Sequence, residues 1–198
     1  MDGKFHVDAF AIFIQIKPSF KKKYMKRISM FSVLVLLLIS TLQLSAQVDK
    51  SKRPSPPAVA SQTLKSGATV TINYSQPSVK GRTIGKDLEP MAGKVWRTGA
   101  NEATVFETDK DITVEGSKLP AGKYGLFTIF NDKDVTVIFN KTWDQWGAFT
   151  YKDADDQLRV KADLKENKAP AETMKFTISD KGEVTLLWGT KKVEFDVK

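Results

Sequence analysis

The stretch KYGLFTIFNDKDVTVIFN, Lys123 to Asn140, decides the fold. Two runs of β-branched and aromatic residues flank the polar turn Asn131 to Asp134, which predicts a β-hairpin. Its first strand is apolar on both faces, with Tyr124 and Leu126 on one and Phe127 and Ile129 on the other. A strand of that kind needs a cover on the side facing away from the main core. The longest unpatterned segment, Ser75 to Ala103, is broken by Pro77, Gly81, Gly85, Pro90, Gly93 and Gly99. Loops of that length in compact domains are functional or covering, and this one is expected to cover the hairpin.

Outward from the hairpin the same chemistry repeats. Ala68 to Tyr74 alternates strictly between apolar and polar residues, as a strand with one buried face does. Further strands are expected at Thr104 to Glu107, Asp111 to Val114, Gln157 to Leu164, Met174 to Ile178, Val184 to Trp188 and Val193 to Val197. Leu119-Pro120-Ala121-Gly122 and Asp180-Lys181-Gly182 read as turns. No segment holds a helical period. About eight to nine short strands predict an all-β fold, an antiparallel β-sandwich of jelly-roll-like or Ig-like type, as a single domain over residues 58–198.

The N-terminal quarter has another character. Met25 to Arg27 is basic, Phe31 to Ile39 is apolar, and Leu44-Ser45-Ala46 is a small-residue cleavage context, the outline of a signal peptide over residues 25–46. The apolar run is short of the roughly 20 residues a membrane-spanning helix needs, so export with cleavage near Ala46, to a periplasmic or secreted location, is expected. Residues 1–24 precede that signal and read as a misassigned start. Residues 47–57, closing on Pro-Ser-Pro-Pro, read as an extended, unpacked linker.

Charge and missing residue types exclude several function classes. The net charge of +8 is concentrated in residues 1–46, where seven Lys or Arg face Asp2 and Asp8; the remainder holds 24 cations against 21 acids. No basic block interleaved with aromatics follows, so no nucleic-acid partner is expected. The chain has no Cys, and its only histidine, His6, lies in the leader. That removes Ser-His-Asp and Cys-His catalysis, the usual zinc sites, haem and iron-sulfur ligation, and leaves carboxylates, Lys, Tyr and hydroxyls. No cofactor is expected. Asp153, Asp155 and Asp156 lack the glycine and distal glutamate of an EF-hand loop, so no metal is assigned.

Two loops concentrate polar and aromatic residues. In WRTGANEAT, Trp96 to Thr104, Gly99 and Asn101 tolerate left-handed backbone and predict a sharp bend that brings Arg97 near Glu102. There Arg97 either clamps an anionic or sugar ligand beside Trp96, with Glu102 as orienter or base, or it pairs with Glu102 to hold the bend while Trp96 enters the core. The second loop, Trp143 to Tyr151, sets four aromatics beside Asp144 and Gln145 and suits either a glycan or an inward-folded lid. Ser78 to Arg82 is a basic turn without the spacing of a phosphate loop. Glu102, Asp144 and Asp156 are the carboxylates available to a glycosidase.

INYSQPSVKGRTI (72–84), VWRTGANEAT (95–104), LPAGKYGLFTI (119–129), VIFN (137–140), QWGAFTY (145–151) and LRV (158–160) occur in this order. The chain in this respect resembles the secreted bacterial family catalogued as domain of unknown function 2911, from about Ser55 to the C-terminus. The resemblance implies an exported β-rich domain. It places Tyr74, Pro77, Gly81, Arg82, Trp96, Arg97, Gly99, Asn101, Glu102, Trp146, Gly147 and Tyr151 among the family-pattern residues. One departure, an Asn-Asp-Lys-Asp turn after Phe130 where the family has Ile-Pro, concerns that hairpin alone.

The leading expectation is a non-catalytic ligand-binding or interaction domain of the cell envelope, taking a glycan or another small molecule. Trp96, Arg97, Asn101, Glu102, Trp146 and Tyr151 would converge on one concave surface, with Arg82 nearby. The alternatives are a carboxylate-dependent glycan hydrolase using Glu102, and a purely structural module. The sequence does not fix an oligomeric state.

Overall fold

The computed structural model describes residues 49–198. The expected leader and signal peptide lie outside the described residues. Alternating apolar residues build ten strands: β1 (Pro57–Thr63), β2 (Thr69–Ser75), β3 (Val95–Trp96), β4 (Thr104–Thr108), β5 (Ile112–Val114), β6 (Ser117–Leu119), β7 (Gly122–Phe130), β8 (Asp134–Asn140), β9 (Asp156–Ile178) and β10 (Glu183–Asp196). Every pairing between these strands is antiparallel. The main sheet runs β1-β2-β4-β7-β8-β9-β10, and β5-β6 forms a separate hairpin. The two-residue β3 pairs with Thr128 and Ile129, continuing along β7 where β4 has ended at Leu126.

The sheet curls because its long last strands bend back over its first ones. Tyr74 in β2 meets Phe176 in β9 edge-on, with ring centroids 5.1 Å apart, and its hydroxyl accepts the Phe176 N–H at 3.2 Å. Farther along, Lys65 N–H donates to the Asp180 carbonyl at 2.9 Å. The result is a curled, sandwich-like half-barrel whose inner face buries Ile72, Phe106, Leu126, Phe139, Phe176 and Leu186. At roughly 1.5–3 kcal/mol for each large side chain, this shared interior dominates the stabilising contributions.

Four strands expected in the last third merge into two. β9 runs straight through Pro170, and β10 joins Val184–Trp188 to Val193–Asp196 across register shifts on either side of Gly189. Between Glu166 and Lys175 β9 carries more residues than the facing Leu187 to Lys191 of β10, and a proline without an N–H is tolerated in such an irregular stretch, so it does not end the strand.

The hairpin of β7 and β8 is apolar on both faces, as expected, but its cover differs. On the outer face Phe127 and Ile138 pack with Ala103, and Val95, Ile129, Ala148 and Tyr151 lie against them. The aromatic loop and the tail of the 75–103 segment therefore share that role. The body of the segment lies elsewhere. Val79, Ile84 and Leu88 must themselves be buried, and they pack against the main core beside β9 and β10. Val79 N–H donates to the Glu172 carbonyl at 2.8 Å, and Trp188 Nε1 donates to the Glu89 carbonyl at 2.8 Å.

Residues 49–57 differ from an unpacked linker. Asp49 caps a single 3-10 turn at Lys50–Lys52, and the chain then docks through Arg53 and Ser55 onto the 96–104 bend. The carboxylate and amide of Glu102 and Asn101 supply the attraction that composition alone did not show.

Candidate functional site

The bend is built by threonines as much as by glycine. Thr98, at φ 54°, and Asn101, at φ 58°, take the left-handed backbone, whereas Gly99 does not. A β-branched residue there is strained, and three hydrogen bonds hold it. The Thr98 hydroxyl bonds Trp96 O at 3.3 Å and lies 3.0 Å from that of Thr128, while Thr98 O accepts the Thr104 hydroxyl at 2.8 Å. Gly99 is required for space: a Cβ there would fall 2.9 Å from Thr104 Oγ1 and 3.2 Å from Ser75 O. The bend turns Trp96 inward, 2% exposed, with its indole N–H on Gly99 O at 3.1 Å and its ring edge-on to Phe130.

Arg97 and Glu102 do not pair. Glu102 accepts both its hydrogen bonds from Arg53 Nη1, at 2.9 Å each, and Lys50 Nζ lies 3.0 Å away. Partial burial pushes the Glu102 carboxyl up, but hydrogen bonds from Arg53, its own backbone and Lys50 outweigh that and bring it down to about 2. Asn101 Nδ2 donates to Ser55 O at 2.9 Å, tying down the same N-terminal strap.

Arg97 is half-buried, and its Nε has no hydrogen-bond partner. Burial pushes its guanidinium pKa down, while Glu89 opposes that shift through charge alone. No ion pair among the described residues involves Arg97 or Arg82. Arg97 lines a cleft of about 270 Å³ with Arg82, Asp87, Glu89, Trp188 and the strap residue Ser55. The acids of that cleft are already engaged. Asp87 accepts Thr83 N–H at 2.9 Å, and Glu89 accepts Met91 N–H at 2.7 Å. Arg82 folds back on its own turn, with Nη2 on Ser78 O at 2.8 Å and Nε on Val79 O at 3.1 Å.

The two aromatic-rich loops are adjacent. Glu102 and Trp146 form a β-bridge, Ala103 N–H donates to Gln145 O, and Gly147 N–H donates to Asn101 O. A Cβ on Gly147 would fall 3.0 Å from the Phe149 ring and 3.4 Å from Arg97 Nη1, so both groups reach that glycine. Trp146 is 56% exposed, with the Arg53 guanidinium 6.0 Å from its ring centre. Phe149 is more exposed still.

The six expected residues do not share one surface. Trp96 packs into the main core while still lining the Arg97 cleft, and Tyr151 covers Phe127 on the outer face of the sheet. The Tyr151 hydroxyl donates to Asp156 at 2.8 Å and accepts from Arg159 at 2.8 Å. Its pKa is raised to about 12 by burial first and then by Asp156. Asp156 also accepts from Asn140 and Arg159, so that corner is internally satisfied. Asn101, Glu102 and Trp146 meet at the strap, and Arg97 and Arg82 meet at the cleft. Sequence reasoning missed Arg53, Ser55, Glu89 and Trp188. Only the basic residues at 50–53 carried a signal, and they looked like solvated charges.

Among the described residues no group of three or more His, Cys, Asp and Glu is placed to hold a metal, and no helix is long and apolar enough to cross a membrane. Comparison with curated proteins and with solved structures returns no match. The family model described as protein of unknown function (DUF2911) matches residues 55–197, a span that holds the bend, the cleft and the aromatic loop. The chain belongs to that family, DUF2911.

Proposed function

We propose that the protein is an exported domain of the cell envelope that binds a small anionic molecule without transforming it. The observation that carries this reading is Arg97: a half-buried guanidinium with an orphaned Nε, lining a cleft whose acids each accept a backbone N–H and form no ion pair with it. A buried polar group without a partner costs about 1–3 kcal/mol, more if charged, and an incoming carboxylate or phosphate repays that through a bidentate, charge-assisted pair. The signal-peptide pattern of Met25 to Ala46 supports export, and N-terminal sequencing of the protein recovered outside the cytoplasm should begin near Gln47.

Glu102 counts against the hydrolase. A carboxyl at about 2 is no proton donor at neutral pH and is a weak base. One observation favours a second ligand class: the exposed rings of Trp146 and Phe149 offer faces on which a sugar can stack. A thermal-shift screen against simple carboxylates, inorganic phosphate and neutral oligosaccharides separates the two. Anions are expected to raise the unfolding midpoint in the wild type and not in Arg97→Ala. A shift from neutral sugars alone, abolished by Trp146→Ala, would replace the anion reading.

A further inference from the structure

A second cleft, of about 350 Å³, lies between the 79–84 turn and the bulged part of β9 and β10. Arg82 lines both clefts, so the two adjoin at its side chain. The second is built by the bulge. Gly189 sits at φ +56°, and a Cβ there would fall 2.5 Å from Ile84 Cδ1, so the turn seats against the β10 backbone where the register slips. Bulges that re-aim a strand recur beside binding sites.

The charges follow the pattern of the Arg97 cleft. The acid of the second cleft, Glu172, accepts Lys80 N–H at 2.7 Å. Its cations are Arg82, whose Nη1 makes no hydrogen bond to the described residues, and Lys191, which forms no ion pair with them and whose Nζ lies 5.6 Å from the Phe130 ring centre. In both clefts, then, each carboxylate is oriented by a backbone N–H, and the cations form no ion pair with the described residues. The volumes decide the size of the occupant. One cleft alone is at or below the lower end of the roughly 300–1,000 Å³ range of small-molecule sites, whereas the two together lie well inside it.

We propose that the second cleft is an anion subsite continuous with the first, and that the protein takes a small molecule carrying two anionic groups, one on Arg97 and the other on Arg82 and Lys191. This rests on the anion reading above. Carboxylates and phosphates share the chemistry required, two anions held apart by a spacer that passes Arg82.

Isothermal titration of the purified protein with acetate, with succinate, adipate and suberate, and with a sugar bisphosphate tests this. At least one two-anion ligand is expected to bind about ten-fold tighter than acetate, the gain of one further charge-assisted contact. The length preference among the dicarboxylates reads the spacing between the subsites, and the bisphosphate arm identifies the anion. Lys191→Ala, and separately Arg82→Ala, should bring the ratio of two-anion to acetate affinity to within about two-fold. A wild-type ratio near one, or a ratio that survives both substitutions, overturns the second subsite. Acetate binding that is indifferent to Arg97→Ala overturns the underlying reading instead, so the two failures are distinguishable.

Discussion

Arg97 and Glu102 stand on one bend and meet opposite fates. Glu102 is at the surface, 39% exposed at its side chain, yet takes two cations; Arg97 is half-buried and takes none among the described residues. The two tryptophans differ in the same way: Trp96 is buried in the core at the edge of the Arg97 cleft, and Trp146 stands open beside the strap. An exposed carboxylate has no electrostatic need for two partners, so the Glu102 half of the bend is construction, fastening residues 49–56 to the fold. A half-buried guanidinium with an unpaired Nε gains from a partner, and on the proposed reading the Arg97 half is the one that binds.

The tryptophans give the largest contrast. Trp96→Ala should destabilise the protein by about 3–5 kcal/mol in chemical denaturation, as expected for a buried aromatic removed from a packed interior. If it costs less than Trp146→Ala, the assignment of inward and outward halves is reversed.

Arg53→Ala should cost about 1 kcal/mol or less, since the pair is partly screened by solvent. It should also change the acid limb of stability. The folded Glu102 carboxyl lies at about 2, below its ordinary 4.5, so its contribution is present above about 4.5 and is lost as pH falls toward about 2. Unfolding midpoints measured between pH 5 and pH 2 should therefore fall less steeply in Arg53→Ala combined with Lys50→Ala than in the wild type. Parallel slopes would mean that the strap does not hold the carboxylate. The smallest effect belongs to Trp146→Ala, expected within about 0.5 kcal/mol, as for exposed positions away from special features.

How much of this was legible in the sequence follows the range of the interactions. The β7–β8 hairpin and its doubly apolar first strand were readable because a period of two is local. The tightness of the Trp96–Thr104 bend was readable too, though Thr98 rather than Gly99 takes the left-handed backbone. The partner of Glu102 was not readable. Arg97, five residues away, was the nearby candidate, whereas Arg53 reaches it across 49 residues. Continuity of β9 through Pro170 was hidden for a related reason: the proline falls where β9 carries extra residues between its pairings of Glu166 and Lys175 with β10, and only the distant partner strand reveals that. The cover over Phe127 was assigned to the longest loop, and its tail, with Val95 and Ala103, takes part in it; the body of the loop carries Val79, Ile84 and Leu88, whose burial against the main core draws it elsewhere.

On the proposed reading, one charge of the bend binds and the other builds. Titration of inorganic phosphate into the wild type, Arg97→Ala and Glu102→Gln, with the unfolding midpoint of each, tests it most directly. Arg97→Ala is expected to weaken binding by about ten-fold or more without lowering the midpoint, and Glu102→Gln to lower the midpoint while leaving affinity within about two-fold. Weakened binding in Glu102→Gln with Arg97→Ala unaffected would contradict it.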